Sequence, residues 1–191
     1  MQKKASLNVL KACLKLLDSK LSKTGTTIEV KAVGGFALLY HGIRKDGYTV
    51  DIDTVSHDYP TEVTALIHEV GTAMGTEAEW LNNTVVFNND VATVEAMLEP
   101  FWEKTDLGLS CISLYVADIE TLLRTKLIAA DDTELTGRTQ DMPDLLDIFI
   151  KMGAHDTKSR AALCEKLDID LSAYPTVHSH LLEMEMDTAN L

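Results

Sequence analysis

Leucines recur at three- and four-residue steps near the start of the chain, at Leu7, Leu10, Leu14, Leu17 and Leu21. That spacing predicts an amphipathic helix over residues 5–21, ended by the loop signal Thr24-Gly25-Thr26. Ile28 to Val33 reads as a short strand running into Gly34-Gly35, and Phe36 to His41 as a helix opened by those glycines. After the turn signal Asp46-Gly47, residues 48–55 alternate between apolar or β-branched side chains and two aspartates, which is the period of a strand.

Tyr59-Pro60-Thr61-Glu62 offers a helix start, followed by Val63, Leu66, Ile67, Val70 and Met74 on one face. The Asn-rich stretch 80–90 is expected to hold one strand at 84–87 between turns, and 92–98 fits either strand or helix. Residues 109–116 read as a strand, and Asp118 as the cap of a helix carrying Ile119, Leu122, Leu123, Leu127 and Ala130. A polar stretch at 131–137 precedes a helix marked by Leu145, Leu146, Phe149 and Met152 and closed near Gly153. Two further helices are predicted over 157–167 and 176–186. Strands early and helices late predict an α+β fold, with an α/β core over residues 1–116 and a helical C-terminal region, 117–191, packing on it.

Composition narrows the function classes. A chain of 191 residues with 46% hydrophobic and 25% charged residues is expected to fold as one functional unit. No apolar run reaches the roughly 18 residues that span a bilayer, and Met-Gln-Lys-Lys-Ala-Ser leads straight into an amphipathic pattern. No membrane association and a cytoplasmic location are therefore expected. Cys13, Cys111 and Cys164 are odd in number, far apart and set in apolar segments, which suits free thiols better than disulfides or a zinc knuckle. The net charge of −13 argues against a broad nucleic-acid-binding surface, because phosphate backbones are bound chiefly through Lys and Arg. It leaves room for a nucleotide held through a metal ion, or for a basic protein partner.

Asp51-Ile52-Asp53 carries the candidate chemistry. Residues two apart on a strand face the same side, so both carboxylates can approach one Mg²⁺ or Mn²⁺, which completes its shell with waters and phosphate oxygens. An isolated Asp-x-Asp is more often a solvated edge strand. Gly34-Gly35 lies between a predicted strand and a predicted helix, where glycine admits close approach of a ligand and helix amides face a phosphate; a tight structural turn uses the same residues.

The order strand, Gly-Gly, short helix, Asp-x-Asp strand resembles the nucleotidyltransferase superfamily of DNA polymerase beta type. More specifically, residues 33–42, Val-Gly-Gly-Phe-Ala-Leu-Leu-Tyr-His-Gly, with Arg44, Thr49 and Asp51-Ile52-Asp53, are similar to the bacterial branch of abortive-infection type IV toxins and related uncharacterised nucleotidyltransferases. A second block, residues 122–130 followed by Arg138-Thr139-Gln140-Asp141-Met142-Pro143-Asp144-Leu145, is similar to that branch's Leu-Leu-x-x-Lys-Leu-x-Ala and Arg-x-x-Asp-x-x-Asp-Leu segments.

The resemblance implies a small mixed sheet flanked by helices, and Mg²⁺-dependent transfer of a nucleoside monophosphate from an NTP to a protein, RNA or small-molecule acceptor. It implies that Asp51 and Asp53 hold the metal and that Gly34 and Gly35 cradle the triphosphate. Lys126 and Arg44 or Lys45 then contact phosphate, and Asp141 acts as base or as an orienting partner for Lys126. A toxin–antitoxin role is inherited only by association. Active members usually add a third carboxylate, for which Glu95 and then Asp106 are the candidates. Without it, the chain would be a catalytically degenerate nucleotide-binding or antitoxin-like module. Other readings of the same residues stay open: Lys126 as a snorkelling surface lysine, Asp141 and Asp144 as favourable charges at a helix N-terminus, Arg138 as a structural ion-pair partner, and His41 as a structural neighbour of the site.

Overall fold

The computed structural model describes residues 2–56, 58–83, 102–131 and 139–189. These form a mixed α+β fold with small sheets and, among the described residues, seven α-helices. The chain divides into two compact units, Met1–Asp118 and Ile119–Leu191. No helix among the described residues is long and apolar enough to cross a membrane.

In the first unit, strand β1 (Ala5–Ser6) leads into helix α1 (Leu7–Thr24). The leucine stripe predicts the helix, but its first two residues belong to a strand instead. Ser6 ends β1 and caps α1, its Oγ accepting from Val9 N at 3.4 Å. Leu10, Cys13, Leu14, Leu17 and Leu21 are buried on one face of α1. Strand β2 (Ile28–Ala32) runs into α2 (Gly34–Tyr40), so the diglycine forms the first turn of the helix rather than preceding it. The continuous apolar run Phe36 to Leu39 is buried, which suits a helix enclosed on all sides.

The segment expected as one strand over 48–55 is two short strands. Residues Tyr48–Thr49 (β3) pair antiparallel with β1, and Ile52–Asp53 (β4) pair parallel with β5 (Leu81–Asn82). Helix α3 (Thr61–Met74) lies between them in sequence and buries Val63, Ile67 and Val70. Its Ile67 carbonyl accepts from Trp80 Nε1 at 2.9 Å, which fixes the fully buried indole just before β5.

Strands β6 (Trp102–Lys104) and β7 (Ile112–Ala117) complete a sheet of order β2-β7-β6, with β2 and β7 parallel and β6 antiparallel to β7. A bridge between Ala32 and Thr54, with Val33 N donating to Asp53 O and Val55 N to Lys31 O, both at 2.9 Å, ties β4 to the end of β2. The period-2 signal placed β7 correctly to within a few residues. It did not mark β1, β5 or β6, each of only two or three residues. The strand expected at 84–87 and the segment 92–98 lie outside the described residues.

The start of β7 is held by one carboxylate. Asp18 Oδ1, on α1, accepts from the amides of Ser110, Cys111 and Ile112 at 3.0, 2.7 and 3.0 Å, and Oδ2 accepts from Ser110 N at 3.1 Å. Three converging backbone donors make an anion-binding concavity, here filled from within the chain.

The second unit contains α4 (Ile119–Asp131), α5 (Asp141–Lys151), α6 (Thr157–Lys166), a 3₁₀ turn (Leu171–Ala173) and α7 (Pro175–Ala189). Leu122, Leu123, Leu127 and Ala130 of α4 and Leu145, Ile148 and Phe149 of α5 are buried. Asp131, the last residue of α4, caps α7 by accepting from Thr176 N and Val177 N at 2.8 and 3.2 Å. Asp156 and Ser159 form a capping box on α6.

Two outcomes follow from this packing. Replacing Asp18 with Ala strands backbone donors at the head of β7 and is expected to cost roughly 1–3 kcal/mol, read as a lower denaturant midpoint at unchanged slope. Cys13 and Cys164 are buried, and burial pushes the Cys164 thiol up to about 11, against a weaker lowering by Arg124, whereas Cys111 is half-buried. At neutral pH an alkylating reagent should therefore modify Cys111 first in the native protein and all three thiols only after unfolding, as read by peptide mass.

Candidate active site

Gly34 and Asp53 meet where β2 gives way to α2. Gly34 has φ +61°, in the left-handed region, and a Cβ built there would lie 2.8 Å from Asp53 Oδ2. Backbone conformation and space thus both require glycine. A Cβ on Gly35 would overlap Thr49 Oγ1 and stand 2.6 Å from Arg44 Nη1. The diglycine is therefore the surface against which Asp53, Thr49 and Arg44 close.

Arg44 reaches this position because the loop after α2 folds back on itself. The Arg44 Nη1 group donates to Tyr48 O at 3.2 Å, and Tyr48 N donates to Asp46 Oδ1 at 3.2 Å across the Asp46-Gly47 turn. Pairing of Thr49 with Ala5 then secures the loop's far end. Lys45 is exposed in the same loop.

Asp51 precedes β4, and Asp53 lies within it. Both are half-buried. Strand β4 is fixed on both edges: Ile52 N donates to Trp80 O at 2.7 Å and Thr54 N to Asn82 O at 2.8 Å, opposite the two bonds to β2. Asp51 Oδ2 accepts from Asn82 Nδ2 at 3.0 Å. Nothing in the sequence pointed to Asn82, which looked like one asparagine among several in a turn-rich stretch. Its position beside β4 depends on the parallel pairing of β4 with β5, a contact between distant segments.

Next to Asp53, Thr54 Oγ1 lies 2.9 Å from Ser56 Oγ, and Ser56 Oγ donates to Tyr59 Oη at 3.4 Å. Burial raises the Tyr59 pKa, opposed by its hydrogen bonds to Ser56 and Thr54, so the phenol stays neutral in the physiological range.

His41 joins two elements of the fold. Its Nε2 lies 2.8 Å from Ala117 O, a carbonyl that can only accept, so this nitrogen carries the proton and ties the end of α2 to the end of β7. Asp106 lies in the loop joining β6 to β7 and accepts from Gly108 N at 3.3 Å. Because β2 and β7 are parallel, that loop sits at the Ile28 end of the sheet, away from Gly34. As a third acid, Asp106 is therefore excluded by topology. Glu95 and Arg138 lie outside the described residues.

Lys126, Asp141 and Asp144 come together in the second unit. Lys126 Nζ is 2.5 Å from Asp141 Oδ1 and 2.8 Å from Asp144 Oδ2, and all three residues are buried. Gln140 Nε2 adds a donor to Asp144 Oδ1 at 3.2 Å. A snorkelling lysine is thus not what α4 presents. Asp141 and Asp144 stand in the first turn of α5, where the helix dipole favours negative charge, and they also neutralise a lysine on α4.

The donor set at Asp51 and Asp53 fits Mg²⁺ or Mn²⁺, which bind through one or two carboxylates and complete their shell with water and phosphate oxygens. Glycine at position 34 leaves the Asp53 carboxylate uncrowded on the helix side. Among the described residues no group of three His, Cys, Asp or Glu side chains gathers as a closed metal cage.

The buried ion contacts allow a stability test. Lys126→Met removes the ammonium that both buried aspartates contact and is expected to cost about 3–5 kcal/mol, as read in urea denaturation. Compared with protein-family models, characterised proteins and solved structures, the chain matches none.

Proposed function

We propose that the first unit is a nucleotidyltransferase-type core that binds a nucleoside triphosphate with Mg²⁺ or Mn²⁺ and transfers its nucleoside monophosphate to a protein, RNA or small-molecule acceptor. The observation that carries this reading is the closure of Asp53, Thr49 and Arg44 on the Gly34-Gly35 turn. It places a carboxylate, a hydroxyl and a guanidinium at the head of α2, whose first-turn amides have no carbonyl partner within the helix. The linkage of β4 to both β2 and β5 supports it further, since it fixes the aspartates on a mixed sheet beside that turn.

Each residue then has a task. Asp51 and Asp53 bind the cation, which when present neutralises phosphate charge and orients the leaving group. Arg44 offers a planar, permanently charged donor to phosphate oxygens. Gly34 and Gly35 lack the Cβ atoms that would push Asp53, Thr49 and Arg44 away, so those groups stand directly against the start of α2. Catalysis of this kind comes largely from positioning and charge neutralisation. Of the two roles expected for Asp141, that of partner to Lys126 is favoured by their contact, and neither residue is assigned a step.

A second reading, a nucleotide-binding or antitoxin-like module without turnover, is favoured by the double carboxylate pairing of Lys126, which occupies a cation otherwise expected at the triphosphate. The two differ in one assay. Incubation with each α-labelled NTP and Mg²⁺ or Mn²⁺, with lysate as acceptor source, should transfer label, and Asp51→Ala with Asp53→Ala should reduce transfer by about 100-fold or more. Tight NTP binding with no transfer would leave the module reading in place. Transfer that survives both substitutions would remove the assignment of these aspartates.

A further inference from the structure

Asn82 stands at the centre of the aspartate pair in two ways. It is the register partner of Asp53 across the β4–β5 pairing, and its side chain donates to Asp51 Oδ2 at 3.0 Å. The same nitrogen donates to Glu79 O at 3.3 Å. The Asp51 carboxylate and the Glu79 carbonyl both accept, so the amide nitrogen, not its oxygen, faces them. Asn82 therefore anchors a carboxylate oxygen of Asp51 to the backbone before β5.

The chemistry of the residue type matters as much as its position. A carboxylate at position 82 would turn lone pairs toward Asp51 Oδ2 and Glu79 O and place a third negative charge in the group, a repulsion that only a proton or a cation relieves. An amide instead fixes Asp51 while adding no charge. Two carboxylates and water bind a divalent ion weakly, and Mg²⁺ in such sites relies on substrate phosphates for its remaining ligands.

We propose that Asn82 is a positioning residue for the cation site at Asp51 and Asp53, one that orients Asp51 and limits the site's charge so that a divalent ion binds well only together with a nucleotide's phosphates. This rests on the reading of Asp51 and Asp53 as cation ligands.

Binding of Mn²⁺ alone, followed by electron paramagnetic resonance and by the Mn²⁺-induced shift in Tm, tests this on the full chain. Asn82→Asp should bind Mn²⁺ about ten-fold or more tightly than the parent, with a lower Tm without metal and a larger Mn²⁺-dependent gain. Asn82→Ala, which frees Asp51 without adding charge, should weaken Mn²⁺ binding about three-fold or more in the presence of a non-hydrolysable ATP analogue. If Asn82→Asp does not fold, the Asn82→Ala result decides alone. Affinities for both Asn82 variants within about two-fold of the parent, with binding lost in Asp51→Ala plus Asp53→Ala, would overturn the role of Asn82 and leave the cation site standing. Mn²⁺ binding unchanged in the double aspartate variant would overturn the cation site, and the role of Asn82 with it.

Discussion

Strand β4 is only two residues long, and the candidate site depends on how it is held. A strand this short has no stability of its own, so its position is set by the backbone hydrogen bonds on its two edges. Val33 and Lys31 on one side, and Trp80 and Asn82 on the other, supply those bonds. Residues 51–53 are thereby fixed by segments that precede and follow them, and Asp53 reaches Gly34 because Val33 N is bonded to Asp53 O. Widening either edge would move a carboxylate relative to the head of α2 without altering a residue of the motif.

The diglycine acquires a specific meaning in this setting. Glycine before a helix is often read as room for a ligand. Here the room at Gly35 is filled by the chain's own Thr49 and Arg44, and the room at Gly34 by Asp53. The turn therefore gathers polar groups first, and any ligand meets the surface they form together. The second unit handles its charges in the opposite manner: Lys126, Asp141 and Asp144 are withdrawn from solvent and answer one another. Such a triad gains little net stability over apolar packing, but it penalises any arrangement of α4 against α5 that separates its members.

Much of this was legible in the sequence because it is local. The leucine stripe of α1, the glycines at the β2–α2 junction, the apolar run of α2 and the faces of α4 and α5 are set by spacings of a few residues. The approach of Asp53 to Gly34 was likewise carried by order along the chain. What escaped depends on long-range pairing. Ala5 and Ser6 continue a helical pattern in sequence yet form a strand because Tyr48 and Thr49 lie beside them. Asn82 is ordinary until β5 is placed next to β4, and the burial of Lys126 follows from two acids on a different helix. Asp106 had the right chemistry and the wrong end of the sheet.

The parallel pairing of β2 with β7 has a consequence for how the molecule comes into being. Ile28 meets Ile112 and Ala32 meets Val116, so the strand that leads into the diglycine finds its partner only when nearly the whole first unit has been synthesised. Closing so long a stretch of chain costs entropy before any contact returns it, and topologies of this kind fold slowly. Helix α1, whose own backbone hydrogen bonds span four residues, can form while the strands are still waiting. The end of β2 that bonds to β4 thus gains its sheet partner only after β7 has emerged.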